Sequence, residues 1–337
     1  MYEISFPGLG IDGFTINSVA FTIFGKDIMW YGILICIGMI LAYLYAYSRA
    51  KFEGIKTDDL LDLGFFVILF GIVGARLYYV LFAPTSFVAT GGSFCENIWD
   101  TIVNVVSIWN GGLAIFGGIL AGFVTALVVA KIKKIHFPVI LDILAPSVMI
   151  GQIIGRWGNF MNAEAYGSET SVPWRMGIKR ITADGLYTSS IEVHPTFLYE
   201  SLWNLIGFIL IAIFYKKKKF NGQIFYFYMI WYGLGRAMIE GLRSDSLYIA
   251  GNENLRVSQI LAAVACIAGI MLMTVSLIKL KKKTILVGEN GAKQIIESSA
   301  DIPAVDASTK DIQEEKIAET EKYDTSMGEI NDGSQDH

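Results

Sequence analysis

Charged side chains are scarce in this sequence. Only 17% of its 337 residues are Asp, Glu, Lys or Arg, where a soluble domain carries about 25%. With 53% hydrophobic residues and a mean hydropathy of +0.49, that deficit excludes a disordered chain and points to a polytopic membrane protein. Cysteine is equally rare. Cys36, Cys95 and Cys266 are too few and too scattered for a disulfide framework or a zinc site. Histidine occurs three times, at His136, His194 and His337, and no His/Cys/carboxylate grouping in the sequence suggests a metal. The first 24 residues lack the basic start, compact apolar run and cleavage site of a signal peptide. They read as an exposed or interfacial segment. There is no internal repeat and no low-complexity tract. The basic residues sit beside apolar runs and form no domain of their own, so nucleic acid is not an expected partner.

Long apolar stretches are what the chain does have. About 20 apolar residues cross a bilayer as a helix, and seven stretches qualify: roughly 28–47, 61–82, 113–131, 138–155, 196–215, 223–242 and 256–279. The fourth is the weakest, interrupted by Asp142 and Pro146. Fourteen Lys and Arg residues follow the first, third, fifth and seventh stretches, and the long loop 83–112 has none. If seven helices alternate, those charges fall on one side, which places the N-terminus outside and the C-terminus in the cytoplasm. Dropping the fourth helix would put the last two Lys clusters outside, so the charge pattern supports it.

The expected fold is therefore an all-α polytopic membrane protein with seven transmembrane helices and a small extracytoplasmic cap. The cap would come from 83–112, where VATGGSF marks a turn, and from 156–195, where WRMGIKRIT is β-like. Residues 1–27 form an N-terminal segment and 28–283 the membrane domain. Residues 284–337 carry 13 acidic and four basic side chains and read as a disordered cytoplasmic tail.

Ionisable groups inside membrane helices are costly and face a cavity or one another. The sixth stretch holds Tyr232, Arg236, Glu240 and Arg243. At about 100° per residue these positions lie within about 80° of each other, on one stripe. Arg236 lies about 20 Å along the helix from its cytoplasmic start, and the end of the fourth stretch brings Arg156 to similar depth. Arginine's planar fork matches phosphate, so an anionic lipid headgroup fits; an Arg236–Glu240 salt bridge that only ties helices together is the structural alternative. The run GRWGNFMNAEAYG at 155–167 adds Asn159, Asn162 and Glu164 among glycines that allow close backbone approach. A helix end followed by a tight turn would explain it equally well.

That run closely resembles the signature of bacterial prolipoprotein diacylglyceryl transferases. The likeness covers most of 28–260. It takes in WYG at 30–32, GARLYYVLF at 74–82, GGLAIFGG at 111–118, LDILAPS at 141–147, HPTFLYES at 194–201 and YGLGRAMIEGLRSDSL at 232–247. The resemblance implies an enzyme that moves a diacylglyceryl group from phosphatidylglycerol to the lipobox cysteine of a preprolipoprotein signal peptide, in the bilayer and without cofactor. A thioether forms and glycerol 1-phosphate leaves. It implies Arg156 and Arg236 as the main functional arginines, with Glu164 and His194 as further catalytic candidates. Tyr31, Arg76, Asn159, Gly167, Tyr232, Glu240 and Arg243 match other family positions, and Asp142 matches the fourth-helix acid. Asn162 joins the substrate-binding candidates. One departure stands out: Phe116 occupies the place of a histidine proposed as general base in some relatives. Two other classes share these features. An anion transporter would also bury arginines, although no half-to-half repeat supports it. A structural scaffold would use the stripe as glue.

Overall fold

The computed structural model describes residues 1–83, 94–107, 111–181, 184, 188–245, 248–249 and 252–300. Eight helices carry most of the described residues: α1 (Trp30–Phe52), α2 (Thr57–Phe82), α3 (Phe94–Val106), α4 (Ile115–Lys133), α5 (Phe137–Met161), α6 (Thr196–Phe214), α7 (Gln223–Glu240) and α8 (Val257–Ala300). Six are long and apolar enough to cross a membrane: α1, α2, α4, α5, α6 with its extension to Lys217, and α8 as far as Lys282. Large apolar side chains such as Phe65, Leu81, Ile119 and Met271 stand exposed along them, a surface that hydrocarbon tolerates and water does not. All six coincide with expected spans. The other expected span, 223–242, is present as α7. It has 18 residues, and its tyrosines, Arg236 and Glu240 keep it out of that apolar group.

Helix α3 was not expected. Its Ile98, Trp99, Ile102, Val103 and Val106 are exposed along one face. That helical spacing is legible in IWDTIVNVV, within the loop expected at 83–112.

The remaining secondary structure is β. Strands β1 (Tyr2–Phe6), β2 (Ile11–Ile16), β3 (Val19–Ile23) and β4 (Lys26–Met29) occupy the N-terminus; β5 (Met176–Arg180) and β6 (Ile191–Val193) precede α6; β7 (Tyr248–Ile249) and β8 (Asn252–Arg256) precede α8. The sheet order is β2-β1-β5-β6. The N-terminal strand is therefore built into this sheet. It lies between β2 and β5, antiparallel to both, with Glu3 opposite Lys179 and their side chains paired at 3.0 Å. Beneath it Ile4, Ile178, Val193 and Phe197 form a buried cluster, which seats the sheet on the start of α6.

Helix α5 is central, packing on α1, α6 and α7. It runs past the expected end at 155 and carries Arg156 and Asn159 on its last turns. Asp142, fully buried on α5, accepts hydrogen bonds from the backbone N–H of Gly222 at 2.8 Å and of Phe225 at 3.0 Å. These donors at the start of α7 have no partner within the helix. Lys218 joins Asp142 at 3.0 Å and Glu53 at 2.8 Å. One carboxylate thus ties α5 to α7.

From Val275 onward the described residues, the rest of α8 as far as Ala300, form a second compact unit; the remainder of the expected tail, 301–337, lies outside the described residues, as do 88–93 of the expected turn.

Candidate active site

Three guanidinium groups from two helices and a turn converge on one acid that sequence reasoning overlooked. Glu200 sits in the second turn of α6 and is 4% exposed. Its Oε2 meets Arg156 Nη2 at 2.6 Å, its Oε1 meets Arg236 Nη1 at 2.8 Å, and Arg243 Nη1 approaches Oε1 to 3.7 Å. Arg236 Nη2 also meets Glu240 Oε2 at 2.6 Å, the anticipated pair one turn apart. The stripe read from the sequence is real, but its centre lies on the neighbouring helix. The signal was present: Glu200 is the lone acid of the apolar helix TFLYESLWNLIGFILIAIF, and buried ionisable residues in membrane helices mark function.

The charges do not balance within the buried set. Arg156, Arg236 and Arg243 face two buried carboxylates, Glu200 and Glu240. The third counter-charge, Asp245, is half exposed and accepts two hydrogen bonds from Arg243 at 2.8 and 2.9 Å. Burial alone would raise the Asp245 carboxyl, but the Arg243 hydrogen bonds and charge outweigh it and hold it below its usual range. Three partly buried guanidinium groups with forked donors, facing only two buried carboxylates, suit an incoming phosphate.

A polar chain extends from Arg156. Its Nη1 donates to Asn159 Oδ1 at 3.2 Å, and the Asn159 amide donates to Glu164 Oε1 at 3.0 Å. Asn162 Nδ2 donates to the same oxygen at 3.2 Å. The backbone makes this possible. Ala163 and Ala165, either side of Glu164, have φ of 49° and 56°, a left-handed conformation that residues with a Cβ avoid at about 1–2 kcal/mol each. The reversal ends α5 and folds Glu164 back onto Asn159.

Gly167 and His194 build the frame around this chain. The Gly167 N–H donates to His194 O at 2.9 Å and the Ser168 N–H to Leu242 O at 2.7 Å, joining this stretch to the end of α7 through a Gly167–Arg243 bridge. A Cβ on Gly167 would lie 2.6 Å from the His194 Cβ. The His194 ring hydrogen-bonds Tyr199 Oη at 3.1 Å, and Tyr199 accepts from Trp174 at 2.7 Å. Its ring contacts therefore lie with Tyr199 and not with the arginines. The Tyr31 ring covers Gly158, where a Cβ would sit 2.5 Å away, so it flanks the last turns of α5. Tyr232 stacks on Tyr228 at 5.5 Å. Together with Glu200, Trp203, Asn204, Gly235, Arg236 and Ile239 it lines a small cavity beside the Arg236–Glu200 pair.

Arg76 has a separate setting. It is buried, and its donors meet five main-chain carbonyls: Val105 at 2.9 Å, Gly111 at 2.5 Å, Gly112 at 2.9 Å, Asn104 at 2.7 Å and Ser107 at 3.1 Å. Five N–H groups is all a guanidinium has. Arg76 thus fastens the end of α3 to the glycine loop that leads to Phe116, which lies on the first turn of α4.

A family model described as prolipoprotein diacylglyceryl transferase matches residues 18–275. Among similar proteins are the phosphatidylglycerol–prolipoprotein diacylglyceryl transferases of three species. That of Finegoldia magna is 46% identical over 275 residues, covering 80% of this chain and 98% of the relative. That of Clostridium novyi is 41% identical over 266 residues, with 79% and 98% covered. That of Clostridioides difficile is 41% identical over 256 residues, with 76% and 94% covered.

Proposed function

Since the chain belongs to the prolipoprotein diacylglyceryl transferase family, we propose that Arg156, Arg236 and Arg243 hold the phosphate of phosphatidylglycerol while a prolipoprotein cysteine displaces it. The enzyme transfers the diacylglyceryl group of phosphatidylglycerol to that thiol. The family assignment disposes of the transporter and scaffold alternatives. The single observation that carries the site is the convergence of three arginines on Glu200.

The chemistry follows from the charge. The thiolate sulfur attacks the glyceryl carbon, a C–S bond forms, and the C–O bond to phosphate breaks with its electron pair left on oxygen. A phosphodiester with one negative charge becomes a glycerol phosphate with more, so fixed guanidinium groups stabilise the transition state above the ground state. The thiol, with a reference pKa of about 8.5, must lose its proton. Glu200 and Glu240 are committed to arginines. Glu164 has amide partners and no arginine among the described contacts, so it is the carboxylate free to accept that proton. Phe116 cannot. Tyr31, Asn159, Asn162 and Tyr232 orient the substrates or the arginines. Gly167 and His194 hold the frame, and Arg76 shapes the loop before α4.

Helix α7 is the seventh span. Its polar stripe faces protein, as intramembrane charge requires. The fourteen Lys and Arg residues lie in the cytoplasm. The sheet of β2-β1-β5-β6 is an extracytoplasmic cap, which puts the arginines in the outer half of the bilayer, level with headgroups, where the lipobox signal peptide arrives.

Purified protein, phosphatidylglycerol and a lipobox peptide should yield a peptide heavier by one diacylglyceryl group. Arg156→Lys and Arg236→Lys keep the charge and lose the fork. Each should insert normally and turn over about a hundredfold more slowly. Near-normal turnover per inserted molecule in both would reject the anion site and leave only helix glue.

A further inference from the structure

Helices α6 and α7 meet through a contact that repeats itself. Each carries a tryptophan followed four residues later by a glycine: Trp203 and Gly207 on α6, Trp231 and Gly235 on α7. The Trp203 indole lies against Gly235, where a Cβ would be 2.1 Å from its Nε1. The Trp231 indole lies against Gly207, where a Cβ would be 2.4 Å from its Nε1. Each indole N–H donates to the other tryptophan's carbonyl at 2.9 Å. The rings stack at 4.6 Å between centroids and 21° between planes. Both hydrogen bonds close only at one helix separation and one register. In hydrocarbon no water replaces a lost partner, so an indole N–H out of register stays unsatisfied.

This contact adjoins the site. Glu200 lies three residues before Trp203 on α6, and Arg236 follows Gly235 on α7. A one-residue slip moves a helix by about 1.5 Å and turns its side chains by about 100°, which breaks the 2.8 Å Arg236–Glu200 pair. Glu200 also holds Arg156.

We propose that Trp203 and Trp231 are positioning residues: their reciprocal indole–carbonyl contact sets the register of α6 against α7 and so aims Glu200 at the arginines. This rests on the anion-site reading above. As positioning residues they act through Glu200, although Trp203 also lines the cavity beside it.

The test is a double-mutant cycle on turnover per inserted molecule. Trp203→Phe and Trp231→Phe keep an aromatic ring and lose the N–H. Each should lower kcat about tenfold, with KM for the peptide little changed, because sub-ångström misplacement of a charge reduces transition-state stabilisation. The Trp203→Phe/Trp231→Phe double variant should be no slower than the slower single, since the pair acts as one unit. In a Glu200→Asp background, where the shortened acid no longer spans to Arg236, Trp203→Phe should have no further effect. Wild-type turnover in both Phe variants would overturn the proposal, as would a Trp203→Phe loss that adds in full to that of Glu200→Asp. Arg236→Lys separates the two levels. If it is slow while the Phe variants are normal, the anion site stands and the register lock fails. If it turns over normally while the Phe variants are slow, the tryptophans act on something other than the arginines, and both readings fail.

Discussion

Glu200 is shared by Arg156 and Arg236, with Arg243 at 3.7 Å, so its removal would leave buried guanidinium groups facing one another. Breaking a buried pair by deleting one partner costs about 3–5 kcal/mol. Glu200→Ala should lower the stability of the detergent-solubilised protein by that order, measured by unfolding, and a loss under about 1 kcal/mol would show that other groups compensate. The proton question is also decided by single side chains. If Glu164 takes the thiol proton, Glu164→Gln should insert normally and lose most of its turnover. Phe116→Ala alters fit but removes no proton acceptor, so it should keep most of the rate. Near-normal turnover in Glu164→Gln would move the base elsewhere.

Helix α7 is anchored by tertiary contacts at its start, its middle and its end. Its first turn is closed by Asp142 of α5, its middle is fastened to α6 by the tryptophan pair, and its end is bridged to Gly167. An amphipathic 18-residue helix with two charges needs such anchors in a bilayer, because apolar transfer alone inserts it weakly. Asp142→Ala leaves two N–H groups and Lys218 without this acceptor. It should destabilise the protein by about 2–4 kcal/mol, yet leave turnover of the folded fraction within a few-fold of normal. A much larger fall in turnover at normal stability would give Asp142 a role in the chemistry. The run at 155–167 takes its shape at this scale as well: the left-handed Ala163 and Ala165 stop α5 and fold Glu164 back onto it, which is the turn the proposed site uses.

The molecule joins its helices to a sheet whose strands come from the N-terminus, β1 and β2, and from just past the middle of the chain, β5 and β6. The proposed orientation has a direct test. A cysteine at Phe24, which is fully exposed in the β3–β4 turn, should react with an impermeant reagent in intact cells once Cys95 is removed. A cysteine at Lys219 should not, and the reverse pattern would invert the topology. Because the family match ends at residue 275, a chain stopped after Lys283 should insert and turn over normally. A well-inserted truncant without activity would give the last segment a catalytic or assembly role.

Hydropathy alone located every long helix except α3, because a bilayer needs about 20 apolar residues in a row and that requirement is written locally. Periodicity within α7 likewise placed Tyr232, Arg236 and Glu240 on one stripe, with Arg243 on the turn that follows. The motifs carried the family. Local pattern could not carry the partners. Glu200 is 36 residues from Arg236, and Glu3 is 176 from Lys179. Neither separation bears a helical or strand period, so no window of sequence links them. Tertiary packing decided that the N-terminal strand completes a sheet, that Arg76 spends its donors on a loop, and that Glu200 is the acid the arginines share. Buried charge in hydrocarbon must find an opposite charge wherever the fold brings one within reach, and which one that is depends on how α5, α6 and α7 pack.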